Sequence, residues 1–427
     1  MNSVDVAVVC GGLAGLIAAH DTARRGLATS LFEAGPALGG RAQTRVLKEF
    51  HFNQGPHALY ADGKLNQVLS SLAVKVSGHR LQLRNAVALW EGQAHPLPLG
   101  LKIIQHATPF DALDRLQLLK TFEEVARGAY DFAGQPLTAF TDRLRPRVAK
   151  MFETLIRWVT YVHAPDLMDG SAALDQLRLS FGGVLYVDGG WGELAAGLAA
   201  SATAAGAVLR TRSSVAKVAR HETGWMLSGP GFEAQLASSV VLTVAPQIAA
   251  TMVGESRELA TVVQKTKPVR SMCLDLGLSA LPSSKTTYAL GVDQPTYFAV
   301  HSTIARLAPR AGAMVHVARY LAPGEAPSTV HFGALERLAD SLQPGWRELE
   351  VQRQRLAGIV VAHDFPRFET RGRRGPITLR DAPGLFLAGD WIGAEGMLSD
   401  ASAASAQAAA RAAAAYCKQR TPYAASR

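Results

Sequence analysis

The sequence has few cysteines, few aromatic residues and no long apolar run. Its 427 residues include only three cysteines, with no Cys-x-x-Cys pair and no histidine-rich cluster. This argues against a disulfide framework or a structural zinc site and favours a reducing compartment. Aromatic residues make up only 7% of the chain and we find no nucleic-acid-binding motif, so we expect no nucleic-acid partner.

No stretch reaches the ~20 apolar residues that a membrane-spanning helix needs. The apolar segment 6–19 follows no basic residues and is broken by glycines, so we do not interpret it as a signal peptide. We therefore expect a cytoplasmic protein. The formal net charge of +9 leaves a peripheral membrane contact open. We interpret an arginine cluster as a solvated surface loop, with anionic lipid or an acidic ligand as the alternative contact; it comprises Arg367, Arg371, Arg373 and Arg374.

The chain is long for a single hydrophobic core, and 48% hydrophobic residues are typical of an ordered globular protein. We therefore expect two domains.

A strand–turn–helix–strand pattern stands near the N-terminus. The β-branched run at 4–9 predicts a buried parallel strand, and the stretch after it predicts a helix that ends near residues 25–26. A second strand is predicted at 28–33. This order is that of the β-α-β unit that binds dinucleotides. Its candidate binding residues are Gly11, Gly12, Ala14, Gly15, Glu33 and Ala34.

Most of these residues have a chemical reason for their place. Gly12 lets the backbone approach a pyrophosphate, and Gly15 lets the helix pack closely on the sheet. The helix N-terminus offers free N–H groups to the phosphate charge. Glu33, about 20 residues after the glycine turn, can accept both ribose hydroxyls. The usual first glycine of G-x-G-x-x-G is replaced by Cys10, which we expect to be tolerated as a small buried residue at negative φ.

The next segment narrows the type of dinucleotide. It reads Glu33-Ala34-Gly35-Pro36-Ala37-Leu38-Gly39-Gly40-Arg41-Ala42-Gln43-Thr44 and resembles the E-x(5)-G-G-R-x-x-T signature of the flavin amine oxidase and phytoene desaturase superfamily. The resemblance implies noncovalently held FAD, with Gly39 and Gly40 passing close to the cofactor and Arg41 meeting its pyrophosphate. It also implies an α/β fold, in which a Rossmann-like FAD-binding domain is joined to a substrate domain of mixed sheet and helices.

Two further segments resemble parts of that family. Residues 52–57 are similar to the strand and turn beside the isoalloxazine ring, which implies that Gly55 and Pro56 lie near the cofactor. His57 is the candidate catalytic or substrate-orienting residue, and ordinary turn packing is the alternative.

Residues 383–391 are similar to the last cofactor-binding strand, where Asp390, after Gly389, would bond the ribityl chain or a phosphate. A long alanine-rich helix is predicted over 401–416, with Ser399 or Asp400 as its N-cap. Its N-terminus would stabilise the negative charge of reduced flavin. The candidate contacts at its entry are Gly396, Met397 and Leu398. If both ends of the chain bind one cofactor, they must meet in space.

The middle of the chain resembles the family only loosely. Residues 101–181 are predicted to be mostly helical, and Val215 is predicted to lie near the adenine end of the cofactor. Further strands are predicted at 208–210, 215–220, 225–227, 240–244, 272–277, 297–300 and 314–317. The predicted FAD-binding domain comprises 1–80, 182–245 and 370–427, and the substrate-binding domain comprises 81–181 and 246–369.

Many amine-oxidising members of the family carry a lysine early in a substrate-domain strand, where it bonds a water near flavin N5. The strand predicted here at 268–274 contains no lysine, and Lys265 and Lys267 lie outside the expected register. A paired aromatic cage is not evident, although Trp391 is a candidate wall. These absences favour a desaturase-like reaction on an apolar substrate, which needs no acid–base pair.

The leading hypothesis is therefore an FAD-dependent oxidoreductase of the phytoene-desaturase-like branch, which abstracts hydride from a hydrophobic or isoprenoid-type substrate to flavin N5. One alternative is an amine oxidase or a protoporphyrinogen-oxidase-like enzyme, and another is a redox-inert FAD-binding protein. The expected partner is a small, apolar molecule. The sequence indicates neither the electron acceptor nor an oligomeric state.

Overall fold

The computed structural model describes residues 3–83, 85–100, 104 and 108–420. Its helices are α1 (Leu13–Ala23), α2 (Lys64–Ser71), α3 (Ala112–Arg127), α4 (Leu137–Thr141), α5 (Pro146–Thr160), α6 (Gly170–Ser180), α7 (Gly192–Ala204), α8 (Pro246–Val253), α9 (Arg257–Lys265), α10 (Thr329–Leu342) and α11 (Leu398–Arg420).

The strands are β1 (Ser3–Val9), β2 (Thr29–Phe32), β3 (Thr44–Leu47), β4 (Phe50–Asn53), β5 (Leu59–Tyr60), β6 (Gly78–Arg80), β7 (Ala86–Trp90), β8 (Gln93–Pro96), β9 (Val184–Val187), β10 (Val208–Arg210), β11 (Lys217–His221), β12 (Gly224–Ser228), β13 (Gln235–Leu242), β14 (Val269–Leu278), β15 (Tyr288–Gly291), β16 (Thr296–Val300), β17 (Ala313–Leu321), β18 (Glu350–Ala362) and β19 (Leu385–Leu387). Most of the strands form two seven-stranded sheets.

The first sheet is built around parallel strands in the order β10-β2-β1-β13. Along the outer edge of β13, its first half pairs with antiparallel β12 and its second half pairs with parallel β19. The residues at 6–9 and 240–242 are almost completely buried, because helices and connecting segments cover both faces of a parallel sheet. The predicted Rossmann-like β-α-β unit is therefore confirmed.

The two ends of the chain pack together, as predicted. Small residues of α1 and α11 belong to one buried cluster, which includes the alanines at positions 14, 18, 19, 403, 406 and 409. Their short side chains let the two helices approach closely. The Ser405 hydroxyl of α11 also accepts a hydrogen bond from the Gly389 N–H at 2.9 Å, so the last helix is bonded to the end of the last strand.

The second sheet has the order β18-β14-β17-β16-β15-β7-β8 and is antiparallel except between β15 and β7. Helices α3 to α6 share a buried core with this sheet, in which Phe152 and Leu174 meet Tyr288 and Tyr320. Helix α10 packs in a separate core with other strand residues of the same sheet. The predicted mixed sheet with helices is thus confirmed, and the residue boundaries of the two domains stay predictions.

The predicted N-cap of the last helix is wrong. Helix α11 already begins at Leu398, which places Ser399 and Asp400 inside its first turn. The Asp400 carboxylate instead accepts a hydrogen bond from the Leu65 N–H at 2.8 Å. The N-cap of α2 is Gly63, which has no side chain to supply that acceptor. Asp400 therefore caps a neighbouring helix rather than its own.

The arginine cluster is only partly the exposed loop that we expected. Arg371 and Arg373 are exposed, but Arg367 and Arg374 are buried. Arg367 lies 3.7 Å from Asp364, and Arg374 donates to the Glu395 carbonyl at 3.1 Å. Within the part of the chain that the structure describes, we find no helix long and apolar enough to cross a membrane.

The position of Asp400 predicts a specific pH dependence of stability. Burial raises the pKa of the Asp400 carboxyl from 3.8 to about 6, so the folded protein favours its protonated form. The stability that comes from protonation is present below about pH 4 and is lost as the pH rises through 6. In urea unfolding, we expect the wild-type chain to lose up to ~3 kcal/mol relative to Asp400→Asn over this interval.

The matched control is Glu222→Gln at an exposed site, which should leave the wild-type pH profile unchanged. Parallel pH profiles for wild type and Asp400→Asn would contradict the buried, ionisable role of Asp400.

Candidate functional site

A cavity of about 480 Å³ lies at the carboxyl ends of the parallel strands. Cys10, Thr243 and Gly389, which follow β1, β13 and β19, all line it. The opposite wall comes from β14 and β18 of the second sheet. The cavity therefore lies where ligands bind in open α/β sheets and is closed by the second sheet. Of the residues predicted from the sequence, it is lined by Gly12, Ala14, Gly39, Gly40, Arg41, Pro56, His57, Gly389, Asp390 and Leu398.

The turn after β1 has the backbone conformation of the glycine that Cys10 replaces. Cys10 has φ +86°, so the expectation of a negative φ is wrong. The turn is fixed from both sides: the Cys10 N–H donates to the Phe32 carbonyl at 2.8 Å, and a Cβ at Gly15 would come within 1.9 Å of the Cys10 oxygen. Cys10 is held in this strained region because its neighbours leave no alternative.

The Cys10 thiol is not activated. Burial and the neighbouring Glu33 carboxylate raise its pKa to about 11, so the thiol stays protonated at neutral pH. This agrees with the interpretation of Cys10 as a small filler.

The N-terminus of α1 is open to an anion. Its N-cap residue, Gly12, supplies no side-chain acceptor, and Gly12, Leu13 and Ala14 line the cavity. A Cβ on Gly12 would meet no atom within 4 Å, so the space in front of this turn is free. First-turn N–H groups that face a free space are suited to a pyrophosphate. Gly15 does not line the cavity and serves the close packing described above.

Glu33 lies behind the glycine turn and is oriented by it. One carboxylate oxygen accepts from the Gly11 N–H and the other from the Gly35 N–H, both at 2.7 Å. Glu33, Gly11 and the exposed Ala34 lie outside the cavity lining. Because each carboxylate oxygen can accept more than one hydrogen bond, Glu33 retains the capacity to bind ribose hydroxyls.

Val215 is buried in the core cluster that contains Phe32, and its side chain is not part of the cavity wall. Its predicted contact with the adenine end therefore stays a prediction. The nearby Ser213 N–H donates to the Glu33 carbonyl at 2.9 Å, so this segment does reach the acidic residue through its backbone.

The G-G-R segment is bonded to both the glycine turn and the last strand. The Gly39 N–H donates to the Gly11 carbonyl at 2.7 Å, and a Cβ on Gly40 would lie 3.3 Å from the Gly12 Cα. Arg41 Nη1 lies 2.6 Å from Asp390 Oδ2 and donates to the Val361 carbonyl at 2.9 Å. Arg41 lines the cavity beside the glycine turn, where a pyrophosphate would meet it.

Asp390 is ionised although it is buried. Burial would raise the pKa of its carboxyl, but the charge of Arg41 and the hydrogen bond from His363 hold the pKa below its usual range. His363 Nδ1 lies 3.1 Å from Asp390 Oδ1. The two carboxylate oxygens of Asp390 are therefore each engaged by a different side chain.

The entry of α11 forms the floor of the cavity. Leu398 has φ +53° and lines the cavity together with Ser399 and Ser402. Gly396 and Met397 do not line it. Gly396 has φ +63°, and a Cβ there would lie 3.0 Å from the Asp400 Cβ, so this glycine allows the chain to turn into the helix.

The turn at residues 55–57 forms another wall. Gly55 has φ +88° and lies behind the lining residues Pro56 and His57. The His57 ring lies 4.8 Å from the Trp191 ring, and its Nδ1 lies 2.9 Å from the Gly55 carbonyl. Burial lowers the pKa of His57, which keeps the ring neutral at physiological pH.

Several lining residues were not predicted from the sequence. Tyr161 follows α5 with φ +63°, lines the cavity and donates to the Pro56 carbonyl at 3.0 Å. The second sheet contributes Ser271, Cys273, Ile359 and Val361. Strand alternation in the sequence suggests that Ser271 and Cys273, and Ile359 and Val361, share a face, but it would have missed Val360, which also lines the cavity.

Trp391 does not line the cavity, so the prediction that it forms a wall is wrong. It is buried in the core of the first sheet, and its Nε1 donates to the Val244 carbonyl at 3.2 Å. Trp191 lines the cavity instead, and its buried indole N–H has no acceptor among the described residues. Neither Lys265 nor Lys267 is among the lining residues.

These features fit a flavin dinucleotide. The cavity offers an open helix N-terminus, a guanidinium at the glycine turn, an unpartnered indole N–H and a wall of mixed apolar and neutral polar groups. Arg41 and the α1 N–H groups would hold the phosphates, and Trp191 would supply a hydrogen-bond donor.

Comparisons with known proteins agree with this geometry. The profile of the family described as "Flavin containing amine oxidoreductase" matches residues 13–278, more than half of the chain. An oxidoreductase from Methanosarcina mazei has a similar structure, with a TM-score of 0.77 at 17% identity, over 95% of this chain and 99% of that one. A search of curated protein sequences finds no significant match.

Two other solved structures share the fold. A putative protoporphyrinogen oxidase from Exiguobacterium sp. 255-15 has a TM-score of 0.69 at 18% identity, over 97% of this chain and 99% of that one. Putrescine oxidase bound to putrescine has a TM-score of 0.73 at 15% identity, over 96% of this chain and 98% of that one.

The chain belongs to the flavin-containing amine oxidoreductase family. It is an FAD-dependent oxidoreductase, and the redox-inert alternative is set aside. The predicted contacts of individual residues with FAD stay predictions.

The strained turn at Cys10 can be tested by substitution. We expect Cys10→Gly to raise the free energy of unfolding by about 1 kcal/mol, because glycine adopts φ +86° without the steric cost of a Cβ. FAD affinity, measured by flavin fluorescence quenching, should be equal or higher.

The matched control is Cys10→Ala, which removes the thiol and keeps the Cβ, so it should bring no gain in urea unfolding. If Cys10→Gly is less stable than Cys10→Ala, backbone strain is not what the cysteine contributes.

Proposed function

We propose that the enzyme oxidises a neutral, apolar substrate of hydrophobic or isoprenoid type. The single observation that carries this proposal is that the described lining residues offer no negative charge that is free to pair with a substrate cation. The lining residues of the second sheet are Ser271, Cys273, Ile359, Val360 and Val361, and they offer no charged side chain. The one carboxylate in the described lining, Asp390, is already engaged by Arg41 and His363. An ammonium group would be desolvated there without an ionic partner, which is costly.

Two further polar groups of the wall, Tyr161 and Cys273, carry no charge at physiological pH. Burial raises the pKa of Tyr161 well above its usual value, and burial together with Asp275 does the same for the thiol of Cys273. These side chains therefore offer shape and weak polarity without charge. FAD, when bound, would supply the acceptor for a hydride, and with it two electrons, from a substrate carbon. The chain's own part is to orient that carbon and to exclude water.

A second candidate is the oxidation of an amine or of a porphyrinogen. It is favoured by the aromatic groups in the lining, Tyr161, Trp191 and His57, because aromatic faces attract cations. Structural neighbours with those names support it at the level of the shared fold only. The absence of a lysine among the described lining residues and the paired state of Asp390 weigh toward the apolar substrate.

The substrate class can be tested with the FAD-loaded enzyme under anaerobic conditions. We expect geranylgeraniol or squalene in detergent micelles to bleach the absorption band of oxidised flavin, and putrescine to leave it unchanged. Protoporphyrinogen is the third probe. Bleaching by putrescine or protoporphyrinogen alone would overturn the apolar-substrate proposal in favour of the second candidate.

A wall substitution tests the same proposal quantitatively. Ile359 lines the cavity, and its Cδ1 would lie 2.8 Å from a Cβ at Gly55, so it packs beside the turn that carries His57. We expect Ile359→Ala to raise KM for the apolar probe at least ~10-fold, because about 1.4 kcal/mol of apolar contact is lost.

The control is Val330→Ala, which shortens an exposed apolar side chain and should leave KM unchanged. FAD content is measured for both variants, so that a loss of cofactor is not mistaken for a loss of substrate contact. An unchanged KM in a fully loaded Ile359→Ala enzyme would show that this wall does not touch the substrate.

A further inference from the structure

His363 is a histidine of the cavity wall whose two ring nitrogens have different roles. Its Nδ1 lies 3.1 Å from Asp390 Oδ1, and the other carboxylate oxygen lies 2.6 Å from Arg41. An ionised carboxylate only accepts hydrogen bonds, so Nδ1 carries the proton. When the ring is in its neutral form, its lone pair is then on Nε2, for which we find no hydrogen-bond partner among the described residues.

The proposed reaction releases a proton, which a single base can accept without an acid–base pair. Conversion of two neighbouring C–H groups into a double bond removes one hydrogen as hydride, with both electrons, and the other as a proton. FAD, when bound, would supply the hydride acceptor. A base within reach of the substrate carbon would take up the proton.

The other groups of the described lining are poor bases. The thiols of Cys10 and Cys273 and the phenol of Tyr161 all have raised pKa values through burial, so they stay protonated. The Asp390 carboxylate is engaged on both oxygens. His57 is buried, and its imidazolium form is disfavoured by desolvation.

His363 differs from His57 in the group that supports its charge. Nδ1 of His57 faces a neutral carbonyl, whereas Nδ1 of His363 faces a carboxylate. A carboxylate beside Nδ1 stabilises the imidazolium that forms when Nε2 takes up a proton, and it fixes the tautomer.

We propose that His363 is the catalytic base of this site, oriented by Asp390. The step rests on the proposed function. As the hydride leaves the first carbon for FAD, the neighbouring C–H bond breaks, its electron pair becomes the second bond between the two carbons, and its proton goes to His363 Nε2. The imidazolium later releases that proton to solvent.

The charges around His363 are compatible with this role. Asp390 and Arg41 lie on the side of Nδ1, and they offset each other. The neighbouring Asp364 is occupied elsewhere, since it accepts from the Lys267 N–H and lies 3.7 Å from Arg367. His57, the other histidine of the described lining, stays neutral through burial.

The first test counts protons and requires no substrate. The midpoint potential of the FAD-loaded enzyme is measured against redox dyes between about pH 6 and pH 8, where histidine side chains change charge most readily. Its slope gives the number of protons bound per two electrons. Negative charge gained by the flavin favours protonation of a nearby base, so we expect two protons for the wild type within this interval and one for His363→Asn. The asparagine amide retains a donor toward Asp390 and has no titrating nitrogen.

The matched control is His57→Gln, which should still bind two protons. FAD content is measured for every variant, and His363→Gln replaces His363→Asn if the latter does not retain cofactor. One proton in the wild type, or two protons in the His363 variant, would overturn the proposal.

The second test uses the apolar probe that bleaches the flavin. We expect His363→Ala to lower the rate of anaerobic flavin reduction at least 100-fold, and added imidazole to restore part of that rate. A variant that is only mispositioned would not respond to imidazole. If no apolar probe reduces the wild type, the proposed substrate class fails while the proton count still tests His363, so the two proposals can fail separately.

Discussion

The ion pair between the partly exposed Arg41 and the buried Asp390 is the contact on which the rest of the site depends. It joins residues that are 349 positions apart in the chain. The same guanidinium donates to the Val361 carbonyl of β18, and the same carboxylate binds His363. One pair thus connects the first β-α-β unit, the last strand of the first sheet and the edge of the second sheet. Removal of Arg41 would leave the buried charge of Asp390 without its cation, which is destabilising.

The parts of the fold that could be predicted from the sequence are those governed by local rules. The strand at β1, the helix α1 and the acidic end of β2 follow from side-chain periodicity and from the spacing of Gly12, Gly15 and Glu33. We could predict that the two chain ends pack together because both were expected to bind one cofactor. Such features are visible because each depends on neighbours that are close in sequence.

The parts that could not be predicted depend on contacts between distant segments. Ser271 and Ile359 lie on strands whose register decides which side chains face the cavity, and a shift by one residue would have turned them away. His363 directly follows one of these strands, β18. Trp191 and Trp391 follow similar small-residue turns, and only the packing of the sheets shows which of them lines the site. Arg367 and Arg374 looked like a surface cluster, because charged residues are seldom buried unless they are paired.

Some of the residues that break a local rule lie at the cavity. Cys10 and Leu398 both have positive φ without being glycine, and both line the cavity. Asp400 is a buried carboxylate in the first turn of its own helix that caps another one. Each departure costs stability and persists only because neighbouring contacts hold it in place.

The cavity wall is also fixed from behind by a buried polar network. Asp275 lies 2.7 Å from His316, whose ring centroid is 4.2 Å from that of His301 with the two rings tilted, and Gln354 connects Asp275 to the Asn53 backbone.

The Asn53 side chain in turn accepts from the backbone N–H of Trp191 and from the Thr44 hydroxyl. A polar network at this depth has no water to replace a lost bond, so its members must keep one arrangement. The orientation of Trp191 in the cavity is therefore set by the second sheet as much as by the glycine turn that precedes it. This coupling explains how a site assembled from separated segments can retain one geometry.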